Sequence, residues 1–246
     1  MTLSDPQEID RLRAELERHE REAAVRESQL ARYAADLRET FKQERVAADA
    51  LEASYRATVR ALANAVEARD AYTGKHAERV AAYGMEIATA AGMKVGGSPQ
   101  MEFGFLLHDV GKVAVPDAIL FKTSKLTDEE YALICRHPVT GWEILRDIDF
   151  LGDAKLVVRH HHERWDGDGY PDRLAGEAIP LAARVFAVAD TLDALTTDRP
   201  YRPAASFSDA RAEIGRASGT QFDPSVVEAF GRVDNAHFEA IRDQVE

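Results

Sequence analysis

Residues Arg159 to Pro171 read RHHHERWDGDGYP, and the rest of the chain can be placed around them. Three consecutive histidines, His160, His161 and His162, precede a carboxylate, Glu163, and then a run of loop formers from Asp166 to Pro171. Neutral imidazole is a common ligand for mid-to-late first-row metals. Adjacent residues on a helix point about 100° apart, so neighbouring histidines reach one ion most easily where a helix gives way to a loop. The two Asp-Gly steps and Pro171 supply that break. The competing reading, a solvated histidine cluster, is decided by what lies elsewhere.

Upstream, MEFGFLLHDVGKVAVP places Phe103, Phe105, Leu106 and Leu107 ahead of His108 and Asp109. A carboxylate closing an apolar run is expected to be buried, which is costly unless it is paired or coordinated. Its two oxygens suit it to bridge two cations. Lys112 follows within one helical turn and can point into the same space. His76 opens a helix expected over 76–91, with Val80, Tyr83, Ile87 and Ala91 as its apolar stripe. Pro99 is placed to open the next helix.

A capping box, Thr127 with Glu130, predicts a short helix ending near His137, because Pro138 disfavours helical geometry in the residue before it. Tyr131, Ile134 and Cys135 are expected on its buried side. Taken alone, His76 reads as a capping or partly buried histidine and His137 as a helix-end cation. A helix over 153–162 delivers the histidine run. Further on, Leu181, Val185, Val188 and Leu192 share one helical face in a helix that also carries Asp190 and Asp193, and each buried aspartate asks for a cation. Residues 208–217 read as another helix, and the helix opening at Ser225 as the last. No segment alternates apolar and polar residues long enough to argue a sheet, so the expected fold is all-α.

The net charge of −12 makes non-specific binding to a nucleic-acid polymer a poor fit. An anionic substrate would have to be attracted by bound metal and a few local cations. The single cysteine, Cys135, excludes an internal disulfide and fits a reducing compartment. No apolar stretch reaches the ~18 residues of a membrane span. These features read as a soluble, cytoplasmic protein with no membrane partner.

Residues 7–68 contain neither proline nor glycine and are densely charged, with Ser4 placed to cap the helix they predict. Ile9, Leu12 and Leu16 form a heptad seam that resumes at Leu30, Tyr33 and Leu37 and continues through Phe41, Ala48, Leu51, Tyr55 and Leu62. A helix this long, about 90 Å at 1.5 Å per residue, with so narrow a stripe needs a partner to bury it. The expectation is a coiled-coil extension over 1–57 that forms a homodimer, followed by the compact domain over 58–246.

His76, His108, Asp109, His137, His161, His162 and Asp190 mostly fall where helices begin or end. Two octahedral ions sharing a bridging carboxylate need about six or seven protein ligands. The chain supplies that many.

From Thr58 to Phe230 the sequence resembles the HD-GYP phosphodiesterases, which hydrolyse cyclic di-GMP. The resemblance rests on YTGKHAERV, LLHDVGKVAVPDAIL, RHPVTGWEIL, HHERWDGDGYP, IPLAARVFAVADTLDAL, DRPYRP and GTQFDP. It implies an HD-type helical bundle with a dinuclear or trinuclear site, usually of iron or manganese, held by the seven residues just named. It also implies that Lys112 neutralises the attacked phosphate and that Gly169, Tyr170 and Pro171 shape the substrate entrance. Arg199 and Arg202 resemble the cations that hold the substrate's phosphate or guanine. His160 falls one place outside the motif and is expected at the surface or behind the ligands. Members with a third metal carry a glutamate where this chain has Tyr72, whose phenol is a poor ligand near neutral pH, so two ions are expected. The loop FKTSKL lacks the proline and glycine usual there.

The implied reaction is attack on phosphorus by a hydroxide bridging two metals, giving pGpG, GMP or both. Asp109 and Lys112 would be central to it, and Asp193 or a metal-bound water would protonate the leaving oxygen. The alternative is a catalytically silent effector that binds a cyclic dinucleotide and signals through its coiled coil.

Overall fold

The computed structural model describes residues 6–69, 75–95, 99–198 and 202–245, and every regular element among them is helical. The chain divides into two compact units, Met1–Tyr55 and Arg56–Glu246. The first consists of the opening of α1 (Pro6–Glu67). The expected cap, Ser4, lies outside the described residues. Pro6 suits a first helical turn, where its missing N–H is not needed. Seam residues Leu12, Leu16, Leu30, Tyr33, Leu37, Phe41 and Leu51 are 47–69% exposed. Between them run surface pairs such as Arg21–Glu17, 3.1 Å apart, each worth a few tenths of a kcal/mol.

The second unit begins with the closing turns of α1, where Val59 and Ala63 are buried. Arg56 and Arg60 there both reach Glu102. Next come α2 (His76–Ala90), α3 (Gln100–Leu106) with Pro99 at its cap, and a 3₁₀ turn over Val110–Ala114. α4 (Asp117–Leu120), α5 (Asp128–Ile134), α6 (His137–Leu145) and α7 (Ala154–His160) follow. The chain closes with α8 (Leu181–Thr196), α9 (Phe207–Arg216), α10 (Pro224–Arg232) and α11 (Asn235–Val245).

α2 and α8 form the central pair. The stripe expected on α2 is its buried face: Val80, Tyr83 and Ile87 have no exposure, while Ala91 caps the helix half-buried. Val185, Phe186, Val188 and Leu192 of α8 are equally buried. Each such side chain contributes about 1.5–3 kcal/mol of transfer free energy. The two helices that carry His76 and Asp190 are thereby fixed to one another.

Two expectations need correction. The helix opening at Ser225 is not the last, because α11 packs Phe238 against Tyr83 and Phe230 at ring separations of 5.5 Å. The Thr127–Glu130 capping box forms, but α5 buries no residue and Tyr131 is 56% exposed. A short surface helix held by its cap and by the Lys122–Glu130 pair does not need an apolar underside.

Candidate metal centre

Three of the histidines share one local device. The Nδ1 atoms of His108, His137 and His161 each lie 2.8 Å from the carbonyl oxygen three residues earlier, on Phe105, Ile134 and Val158. A carbonyl only accepts, so each Nδ1 carries the hydrogen and donates it, which leaves Nε2 as the lone-pair nitrogen of a neutral ring. Those Nε2 atoms converge: His137 and His161 face each other at 3.1 Å. Burial pushes the His137 ring below the usual histidine range and His161 well below it, while His162 falls to about 3. For His161 and His162 the neighbouring histidines add to the effect of burial. Two neutral lone pairs cannot bond to one another at that distance. A cation held by both would resolve the conflict, and the donor atoms of His137, His161 and His162 all lie within 4.8 Å of one another.

His76, His108 and Asp109 make a second group of the same size. Asp109 joins the two. Its Oδ2 is 3.0 Å from His108 Nε2, and its Oδ1 is 3.3 Å from His137 Nε2. Lys112 Nζ lies 2.8 Å from the same Oδ2. Burial opposes ionisation of this carboxyl, but the positive groups around it, Lys112 among them, outweigh it and hold the group well below its ordinary range. Asp190 Oδ1 lies 3.5 Å from His76 Nε2. The seven residues read from the sequence therefore meet in one place, as two clusters of imidazole nitrogen and carboxylate oxygen with a two-oxygen group between them. That donor set fits divalent first-row metal ions.

Helix ends bring these groups together. His76 opens α2 and His137 opens α6 with Pro138 behind it, whereas His161 and His162 follow α7 directly. His137 is thus the buried first residue of α6 and not the terminal cation of the preceding helix.

The HD domain family model matches residues 60–226. The chain belongs to the HD domain family. This HD domain is 41% identical over 184 residues to a cyclic di-GMP phosphodiesterase response regulator of Xanthomonas campestris pv. campestris, covering 74% of this chain and 49% of that protein. It is 40% identical over 195 residues to a 3′3′-cGAMP-specific phosphodiesterase of Vibrio cholerae, covering 78% of this chain and 35% of that protein. The chain thus spans at most about half the length of these relatives. The crystal structure of a cyclic GMP-AMP specific phosphodiesterase of V. cholerae shares the fold, with a TM-score of 0.55 at 24% identity over 76% of this chain and 52% of that one.

Beside the histidine clusters this HD domain has an open cleft of about 320 Å³, lined by Tyr131, His161, His162, Gly169, Tyr170 and Asp190 among others. Tyr170 stacks on His162 with ring centroids 4.7 Å apart. The loop carrying it is anchored by Glu163, whose buried carboxylate accepts the N–H of Asp172 at 2.7 Å and of Leu174 at 3.1 Å. A Cβ on Gly169 would lie 2.4 Å from Arg164 N and 2.5 Å from Glu163 Cα, so the loop closes only with glycine there. Pro171 follows through a cis peptide bond.

Asp193 lies behind His76. It was a candidate proton donor, yet Arg79 Nε and Nη2 bond its two oxygens at 2.6 and 3.1 Å, and His76 Nδ1 sits 2.7 Å from Oδ2. Burial opposes its charge, but the bonds from His76 and Arg79 outweigh that and hold it below the usual carboxylate range. These contacts fix the ring of His76. The cation that Asp193 asked for is Arg79. Arg79 lies three residues beyond His76, a spacing that puts both on one helical face.

Arg202 is exposed and donates to Ala194 O at 2.5 Å, near the end of α8. Arg199 and Tyr72 lie outside the described residues. His160 is buried with its Nδ1 3.5 Å from Asp172, a carboxylate already held by Arg159.

Proposed function

We propose that this chain is a metal-dependent phosphodiesterase that hydrolyses cyclic di-GMP to pGpG, GMP or both. The observation that carries this reading is Asp109, which presents one oxygen to each histidine cluster. The relatives named as cyclic di-GMP phosphodiesterases support the substrate, and those named for 3′3′-cGAMP keep the class to cyclic dinucleotides.

His76, His108, Asp109, His137, His161, His162 and Asp190 would hold two divalent ions, iron or manganese being suited to mixed imidazole and carboxylate donors. Such ions acidify water and withdraw charge from a phosphate. The chain's own residues supply the rest. Lys112, on the rim of Asp109, can move its ammonium onto a phosphate oxygen and balance the negative charge that develops there. The Arg79–Asp193 pair keeps His76 oriented, as outer partners of metal-binding histidines do. Gly169, Tyr170 and Pro171 shape the entrance, where the Tyr170 ring offers a face to a base. Arg202 has donors beyond the one on Ala194, and with Arg199 it would take a phosphate or the acceptor edge of guanine.

We further propose that the chain works as a homodimer paired along α1 over residues 1–57. The exposed seam from Leu12 to Leu51 supports this, since a coiled coil is stable only when such a stripe is buried against a partner.

Elemental analysis of protein purified without chelator tests the metal assignment. It should give about two ions per chain, the dinuclear arrangement. A reproducible third ion, lost on Tyr72→Phe, would contradict the reading of Tyr72. A metal-free protein with full hydrolytic activity would overturn the assignment altogether.

A further inference from the structure

We propose that Glu67, in the last turn of α1, is a positioning residue that clamps the start of α2 and thereby sets the place of His76. The inference rests on the reading of His76 as a metal ligand.

The N–H groups of a helix's first turn have no partner within the helix and need an outside acceptor. Lys75, the residue before α2, is in the left-handed region at φ 58°, and its side chain does not cap the helix. The acceptor comes from α1. Glu67 Oε1 takes the N–H of Ala77, the residue next to His76, at 2.5 Å. A carboxylate at a helix N-terminus is also favoured by the helix dipole. Glu67 shares a small cleft with His76, His108, Asp109 and Lys112. Burial there pushes its carboxyl above the ordinary range, against the opposing effect of the Ala77 bond. The carboxylate meets this helix end from a partly buried position.

His76 is thus held from two sides, its ring by Asp193 of α8 and its backbone through Glu67 of α1. The end of α1 has a second grip. Arg69, just past the helix, donates to Val113 O at 2.8 Å and pairs with Asp117 at 2.6 Å. Val113 belongs to the 3₁₀ turn that follows Asp109. One helix end therefore touches both the segment that carries His76 and the segment that carries Asp109. Metal sites tolerate errors of only about 0.2 Å in ligand distance, so a displaced last turn of α1 would be felt at the His76 group before the His137 group.

The test compares Glu67→Ala with Glu67→Gln, which keeps an acceptor oxygen. In metal-free protein, amide hydrogen exchange over the first turn of α2 should be about 5- to 30-fold faster in Glu67→Ala, the scale of a lost helix cap. Exchange in α7 should be unchanged. In metal titrations, one of the two sites should weaken by about 10- to 100-fold, as for other outer partners of ligands, and the second site should keep its affinity. Glu67→Gln should restore most of both. Unchanged exchange in Glu67→Ala, equal weakening of both sites, or no recovery with Gln would each overturn the clamp. Wild-type protein that binds no ion would sink the metal reading instead, while the exchange result still decides the clamp.

Discussion

Asp109→Ala is expected to lose both metal ions and hydrolytic turnover in one step. Oδ2 lies 3.0 Å from the His108 nitrogen and Oδ1 3.3 Å from the His137 nitrogen, so a single side chain serves both clusters. Removing it takes the carboxylate away from beside the facing nitrogens of His137 and His161, and it removes the oxygen with which Lys112 pairs. Ion content should fall from about two per chain to well below one, with turnover down by more than the ~100-fold that loss of a mere outer partner can cost. Asp109→Asn separates shape from coordination, because it keeps the volume but offers one oxygen and no charge. It should resemble the alanine variant far more than the wild type. Full occupancy of two ions in Asp109→Ala would refute the bridging role.

Gly111→Ala should be nearly as damaging, although Gly111 touches no ligand atom. The 3₁₀ turn after Asp109 lies so close to α6 that a Cβ on Gly111 would sit 1.9 Å from His137 O and 2.6 Å from Gly141 N. Both are backbone atoms, so no rotamer change relieves the overlap. The turn must back away from α6, at an overpacking cost of about 1–3 kcal/mol. For a domain of this size each kcal/mol lowers the thermal midpoint by about 2–4 °C. The same displacement carries Asp109 away from His137, so metal affinity should fall with stability. Thermal melts with and without added manganese measure both. Wild-type midpoints in both conditions would show that the close approach is not needed.

The histidines and aspartates of the candidate centre were legible because each sits at a helix end or in an apolar run, where a polar ligand type stands out against periodicity. The stripe of α2 and the Thr127 capping box were legible for the same local reason. Partners set by tertiary approach were not. Arg79 sits three residues beyond His76, but its carboxylate lies 114 residues away on Asp193, and periodicity carries no information about which helices pack. Glu67 and Ala77 are separated by a break in the helices, so neither predicts the other. α11 has a weak signal in Phe238, Ile241 and Val245 at steps of three and four, obscured by the polar residues around them. α5 is the converse case. Tyr131, Ile134 and Cys135 have helical spacing, yet a helix of seven residues held by its cap leaves Tyr131 exposed at the edge of the cleft.

Incubating cyclic di-GMP with protein reconstituted with iron or manganese, and resolving the products, tests the central claim most directly. The account predicts steady conversion to pGpG, GMP or both, abolished by chelation and absent in Asp109→Ala. Protein that carries two ions per chain and binds cyclic di-GMP, yet leaves it intact, would contradict the account.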